Sequence, residues 1–384
     1  MDICFIVEGY PTDDDPFMPF VRDLIINFSS MGHHCTVIAP QSITRAISHH
    51  VRIRKRHWID IEGTSKVDVY QPLYLTISTL VPSINKLSFI YSAKRVFKKV
   101  TLNTEVLYAH FWHMGVFASI LNRFKRIPLF VACGESVIEV QKRFKEVEID
   151  ELQRQLTGTI YVGTKSYNEA VSLKLQKRTP FLIAPNGFNP KIFLHKDKVL
   201  CRNEVGWKNE CFVVCFVGAF NERKGVNRLS EALKNLNEQS GITIHSCFIG
   251  SGDLAPENDN TLYVGKVDHN RINDFLCASD IFVLPTTNEG CCNAIVEALA
   301  CGLPVVSSND TFNDDILDES CSIRIDSMDI SQIENAILQL YRDVELRARL
   351  SDGAIKKANG LSLCERAKKI ESFVFDQLGE QNDK

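Results

Sequence analysis

Residues 286–306, TTNEGCCNAIVEALACGLPVV, constrain this chain more than any other stretch. The apolar run 280–284 ahead of them, closed by Pro285, reads as a buried parallel strand. Glu289 and Gly290 form a turn, and residues 293–301 have the apolar spacing and helix formers of a buried helix. Gly302-Leu303-Pro304 stops that helix, and 305–308 begins the next strand. The unit is strand, acidic glycine turn, helix, strand.

Such a unit is built to meet an anion. A helix N-terminus presents unpaired N–H groups and a partial positive charge, so the amides of Cys291, Cys292 and Asn293 can cradle a phosphate. Glu289 lies in the turn and Glu297 in the second helical turn. Helix side chains lean toward the N-terminus, so Glu297 can point back at the same crevice and accept hydrogen bonds from a vicinal diol. The plainer alternative makes Glu297 a capping or solvated residue and Glu289 an ordinary turn residue.

Glu289, Gly290, then Glu297-Ala298-Leu299-Ala300-Cys301-Gly302-Leu303-Pro304-Val305-Val306 resembles the signature of the family 4 retaining glycosyltransferases, which have the GT-B fold. The resemblance implies two Rossmann-like doubly wound parallel-sheet domains facing a central cleft. It also implies a nucleoside diphosphate sugar as donor and no metal or other cofactor.

Composition agrees with an ordinary globular protein: 45% hydrophobic and 24% charged over 384 residues. The thirteen cysteines, an odd number with no C-x-x-C spacing, read as reduced core thiols of a cytoplasmic protein. No apolar run reaches the roughly 18 residues that a membrane span needs, and no signal peptide is visible. Charge is uneven. Residues 1–190 hold 23 basic against 17 acidic side chains, and the remainder 21 against 30, which suggests a different partner for each half. A nucleic-acid partner is disfavoured by the acidic total.

Along the first half, 2–7 reads as a strand, Glu8 to Thr12 with three aspartates as a long turn, 17–31 as a helix and 35–39 as a strand. There is no G-x-G-x-x-G, so dinucleotide binding lacks its phosphate turn. Residues 49–57 (HHVRIRKRH) are basic, and 67–72 reads as a strand. Residues 84–100 form an amphipathic helix with a cationic end at Lys94, Arg95, Lys98 and Lys99. That composition suits a surface resting on anionic headgroups at the inner face of a membrane, or equally a solvated helix face. Strand 106–109 ends in His110-Phe111-Trp112-His113 before a helix at 115–126, and strand 128–132 ends in Cys133-Gly134-Glu135-Ser136. His110, His113, Glu135 and Ser136 are therefore polar groups at strand ends. By the resemblance Gly9 lies near the donor phosphates, and Cys133 stands where a sugar-contacting His is usual. Glu135 is then expected to take over contact with sugar or acceptor.

Strand 159–163, helix 166–175 and strand 181–184 lead to Pro185-Asn186-Gly187, similar to the family's Pro-Asn-Gly, and 195–209 reads as a charged linker. Strand 212–217 opens the second half and runs into Gly218-Ala219-Phe220-Asn221-Glu222-Arg223-Lys224-Gly225, then a helix at 226–236. The family pattern here is Gly-Arg-x-x-x-x-Lys-Gly with both cations on the donor diphosphate. Lys224 matches, Ala219 replaces the Arg, and Arg223 can restore the second charge. Strand 243–249, Gly250-Ser251-Gly252, strand 261–264 and helix 271–278 follow. In similar enzymes Lys266 and Val267 line the base pocket. Strand 323–326, helix 330–343 and a terminal helix at 364–378 complete the chain.

The expected organisation is an acceptor-binding domain at 1–195, a nucleotide-sugar-binding domain at 196–363, and a helix at 364–384 crossing back to the first. The expected activity is transfer of a hexose to a hydroxyl of a glycan or lipid-linked acceptor in envelope polysaccharide synthesis. Glu289, Lys224 and Arg223 would act in catalysis. Glu297, Gly218, Gly290, Cys291, Cys292, Asn293, Lys266 and Val267 would bind the donor. A GT-B-like epimerase or phosphorylase, or a non-catalytic nucleotide-sugar-binding protein, would use the same residues differently.

Overall fold

The computed structural model describes residues 1–12, 17–48, 52–76, 82–239 and 241–382. They form two compact units, one of Met1–Val162, Ser166–Ala184 and Ala367–Lys384, the other of Gly163–Lys165 and Pro185–Arg366. Asp13, Asp14 and Asp15 of the expected long turn, and 49–51 of the basic run, lie outside the described residues.

The strands of the first unit are β1 (Asp2–Ile6), β2 (His34–Ile38), β3 (Gln41–Ser42), β4 (His57–Glu62), β5 (Ser65–Tyr70), β6 (Leu73–Tyr74), β7 (Val106–His110), β8 (Leu129–Cys133), β9 (Leu156–Tyr161) and β10 (Phe181–Ile183). β3 and β6 pair in a short ribbon, and the rest make one sheet ordered β10-β9-β8-β7-β1-β2-β5-β4. All neighbours are parallel except β4 with β5, a hairpin at the edge. Strands covered on both faces must be apolar throughout, and β7 and β8 are wholly buried. The pleat divides β1 between two cores. Ile3 and Phe5 pack with the helix Pro19–Ser30 and with Ala367, Ile370 and Val374, while Cys4 and Ile6 pack with Phe89, Phe97 and Trp112 on the opposite face.

The second unit contains β11 (Phe212–Val217), β12 (Ile244–Ile249), β13 (Thr261–Gly265), β14 (Ile281–Leu284), β15 (Val305–Ser308) and β16 (Ser322–Ile325). Its sheet is entirely parallel, in the order β13-β12-β11-β14-β15-β16. The winding reverses between β11 and β14, and in the first sheet between β1 and β7. Open α/β sheets bind ligands beyond the carboxyl ends of the strands at such points.

Three expectations need correction. The segment 195–209 is not a bare linker, since it holds the helix Lys198–Val205, capped by Asp197 and ended by Gly206. Arg202 of that helix is buried by its ion pair to Asp280, a polar anchor that apolar periodicity does not reveal. The helix expected from residue 115 begins at Trp112, so His113 lies in its first turn rather than on a strand end. The basic run 49–57 ends inside the sheet, because His57 opens β4 and pairs with Tyr70. No described helix is long and apolar enough to cross a membrane.

Candidate active site

Two loops meet at the switch point of the second sheet, and glycine makes their approach feasible. The loop after β11 starts at Gly218 and ends at Gly225, whose φ is +75°; a Cβ there would lie 2.4 Å from Pro285 O. Gly250, beyond β12, packs so closely that its Cβ would lie 1.9 Å from Gly218 O. Thr287 N donates to Arg223 O at 2.9 Å, tying the loop after β14 to the loop after β11. Arg228, buried in the following helix, fastens the assembly: it donates to Pro285 O at 2.9 Å, Ser327 O at 2.8 Å and the Glu222 carboxylate at 2.5 Å.

These loops deliver charge to one carboxylate. Glu289 Oε1 accepts from Arg223 Nη1 at 2.6 Å, from Lys224 Nζ at 2.7 Å and from Thr286 Oγ1 at 2.8 Å. Arg223 Nη1 also donates to Asn288 O at 2.6 Å. Glu289 is 8% exposed, and the two cations beside it keep its charge from being buried unpaired. Burial pushes the Lys224 ammonium down, but its neighbours Cys292 and Glu289 more than restore it, and its pKa lies above the usual lysine value. Burial also raises the Cys292 thiol. It is therefore neutral at pH 7, and Glu289 supplies the charge. Lys165, in the short Gly163–Lys165 segment of this unit, adds a third cation, donating to Asn288 Oδ1 at 2.8 Å and Glu289 O at 3.2 Å.

The helix Asn293–Ala300 starts beside this cluster. Cys292 is its N-cap and makes no side-chain cap hydrogen bond, so the first-turn amides are not closed off by that residue. Lys224 Nζ reaches Cys292 Sγ at 3.7 Å, which puts the ammonium at the helix tip. Asn186 braces the entry from outside, donating through Nδ2 to Cys291 O at 3.2 Å and to Asn293 Oδ1 at 2.8 Å. Gly290 is buried in the turn, and Glu297 lies on the same helix, half-buried. Lys266 and Val267 follow β13 two strands away on the same sheet edge, where Tyr263 donates to Lys266 O at 2.8 Å.

In the first unit the expected residues gather around β1, β7 and β8. His113 Nε2 lies 3.4 Å from Glu8 Oε2. The His113 ring beside it holds the Glu8 carboxyl below the usual range against the effect of burial. Glu135 accepts from Trp112 N at 2.7 Å, capping the helix Trp112–Asn122, and burial pushes its pKa up. His110 is buried between the rings of Phe20 and Phe111. Cys133 is fully buried with its thiol pushed well up, so it contributes to the core rather than to a surface of the site. Ser136 is half-buried beyond β8, and Gly9 follows β1, where a Cβ would lie 2.5 Å from the Phe17 ring.

The structure thus joins Arg223, Lys224, Glu289 and Cys292 directly. Thr286, Arg228 and Lys165 escaped the sequence reading. Thr286 had a signal, three residues ahead of Glu289 at a strand end, whereas Arg228 and Lys165 are single cations in helices and had none.

The structure places two cations on one buried carboxylate at a helix tip, on the switch point of a Rossmann-order α/β sheet. Residues 197–357 match the family described as Glycosyl transferases group 1. The chain is 25% identical over 328 residues to a Bacillus subtilis protein named as a teichuronic acid biosynthesis glycosyltransferase, covering 80% of this chain and 81% of that one. It is also 25% identical over 329 residues to the Escherichia coli UDP-Gal:alpha-D-GlcNAc-diphosphoundecaprenol alpha-1,3-galactosyltransferase, covering 79% and 83%. Among solved structures, a sucrose-phosphate synthase from Thermosynechococcus elongatus superposes with a TM-score of 0.78 at 15% identity, covering 99% of this chain and 100% of that one. The fold is GT-B, and the protein is a glycosyltransferase.

Proposed function

We propose that the chain transfers a hexose, with retention at the anomeric carbon, from a nucleoside diphosphate sugar to a hydroxyl of a lipid-linked or glycan acceptor of the cell envelope. The observation that carries this reading is the Arg223–Lys224–Glu289 cluster at the tip of the helix Asn293–Ala300. Breaking the bond between sugar and diphosphate leaves negative charge on the phosphate oxygens and positive charge on the ring. Lys224, Arg223 and the amides of Cys291, Cys292 and Asn293 stabilise the first, and Glu289 faces the second while holding the sugar hydroxyls. Glu297 takes the ribose diol, and backbone groups at Lys266 and Val267 line the base. The two cations and the helix tip supply the counter-charge, so the reaction needs no metal.

UDP is the first nucleotide to test, because the E. coli relative is named for UDP-Gal and for an acceptor carrying a diphosphate-linked lipid. Gly9, His110, His113, Glu135 and Ser136 of the first unit are the candidates for contact with the sugar or acceptor, and the protein works at the cytoplasmic face of the membrane as a peripheral enzyme. A thermal-shift screen over UDP-, GDP- and ADP-sugars, followed by a transfer assay, tests the reading. One nucleotide class is expected to stabilise the protein, and Glu289→Ala is expected to abolish transfer while leaving the fold intact. Near-normal transfer by Glu289→Ala would remove this residue from the mechanism.

A further inference from the structure

Beyond the ends of β1, β2 and β5, neighbours in the first sheet, lies a cavity of about 320 Å³. Three of its lining residues are arginines: Arg45, Arg52 and Arg54. Nothing in the donor chemistry uses them.

Their surroundings argue for an anionic ligand. Arg22, a short distance away in the same unit, shows what a structural arginine looks like here: it is neutralised by Asp60 at 2.6 Å and Glu62 at 3.0 Å. Among the described residues Arg45 and Arg52 have no such ion pair. Arg45 instead lays its guanidinium over the Phe17 ring, 4.1 Å from the centroid, which fixes the plane and leaves the N–H edge available. Arg54 is held by its backbone, whose N–H donates to Gln41 Oε1 at 3.1 Å, and by Nη1, which donates to Tyr10 O at 3.2 Å. Tyr74 and Gln71 complete a polar wall. The one carboxylate among the lining residues is Glu8, which lies 3.4 Å from His113 and is also attracted, more weakly, by Arg45. Three arginines lining one small cavity, Arg45 and Arg52 of them exposed, suit phosphate oxygens, which accept paired N–H donors.

We propose that Arg45, Arg52 and Arg54 bind a phosphate or diphosphate group carried by the acceptor. The inference rests on the glycosyl-transfer reading for the word acceptor, while the anion site itself does not. It sets the acceptor's class: a phosphorylated molecule rather than a neutral glycan. The shared chemistry is the phosphate, whether the rest of the molecule is a lipid or a soluble sugar.

The test is calorimetry on the full chain with inorganic pyrophosphate, in the presence of saturating UDP or GDP so that the second unit cannot take the probe. One equivalent is expected to bind. Arg52→Ala/Arg54→Ala should weaken that binding at least tenfold, and Lys224→Ala should leave it unchanged. Arg45→Gln/Arg52→Gln, which preserves the Arg54 contact to Tyr10, must give the same loss if the first pair proves unstable. No binding in the nucleotide-saturated protein, wild-type affinity in both arginine variants, or a loss caused by Lys224→Ala would each overturn the proposal. Competition by geranyl diphosphate and by glucose 1-phosphate separates the sources, the tighter competitor naming the lipid or the soluble one. If no nucleotide binds at all, the donor reading fails, and the arginine variants against Lys224→Ala still decide the anion site.

Discussion

Lys224 is the residue on which the cluster in the second unit converges, since it touches both Glu289 and the helix tip. A charge-assisted contact to a diphosphate is worth about 1.5–3 kcal/mol, or roughly 10- to 100-fold in affinity. Lys224→Ala should therefore weaken UDP binding by that factor in a titration, with little change in secondary structure. Glu135 makes a second residue-scale case, this time in pH. Burial raises its folded pKa above the reference value of 4.5. Its contribution to stability is thus complete below that value and is lost as pH rises through the folded pKa. Glu135→Gln keeps an acceptor for Trp112 N and removes the titration. Melting temperature measured from pH 4 to 7 should fall more steeply for the wild type than for the variant, and parallel curves would show that the carboxyl is not strained by burial. Glu289 and Lys224, which the structure pairs, each sit in a local pattern that singles them out in the sequence. Arg228 does not, because its three acceptors come from loops far apart in the chain, at Glu222, Pro285 and Ser327.

At the scale of elements, the same distinction explains what was missed. Strands β7, β8, β11 and β14 are continuous apolar runs and announce themselves. The helix Val344–Ala358 does not, because its buried face includes Gly353, Ala354 and Ala358, too small to register as a hydrophobic stripe. Gly353 is packed so tightly that a Cβ would lie 1.8 Å from Ser320 O. The helix Pro82–Val100 was legible, and its exposed stripe has a clear division of chemistry. Leu87 and Tyr91, 64% and 83% exposed, are followed one and two turns later by Lys94, Arg95, Lys98 and Lys99, and the helix contains no acidic residue. Cations near an anionic surface contribute about 1 kcal/mol each, and two large apolar side chains give the face a means of insertion. The protein should float with vesicles containing anionic lipid and not with neutral ones. Lys94→Glu/Lys98→Glu should abolish flotation, and Leu87→Ser/Tyr91→Ser should reduce it severalfold. Binding that ignores salt and both pairs of changes would mark the stripe as an ordinary solvated surface.

On the scale of the whole molecule, the chain's last helix is part of its first sheet's core. Ala367, Ile370 and Val374 are at most 3% exposed, packed with Phe5, Tyr108 and Phe130 some 200 residues and more earlier in sequence. Phe373 lies edge-on to Phe130 at 5.9 Å, and Gly158 lacks a Cβ where one would stand 2.9 Å from the Phe373 ring. Glu371 accepts from the buried His33 at 2.6 Å, a polar contact that fixes the register of the helix on the sheet. The basic first half and acidic second half are therefore not independent lengths of chain, whatever their composition suggests. The residues themselves show an amphipathic segment, and its return to the first domain was expected from the family resemblance; the partner it covers is set by long-range packing that no local pattern encodes. Fully burying an aliphatic side chain contributes about 1.5–3 kcal/mol, so removing several at once should exceed what a marginally stable sheet can lose. A chain ending after Arg366 should accordingly lose the first unit's protection from protease, with cleavage appearing in loops between β1 and β9. The second unit, whose sheet and cation cluster lie wholly within Pro185–Arg366 and Gly163–Lys165, should still bind UDP. Limited proteolysis followed by mass spectrometry, with calorimetry on the same sample, measures both. A truncated protein that resists cleavage throughout would mean that the helix decorates the first sheet without supporting it.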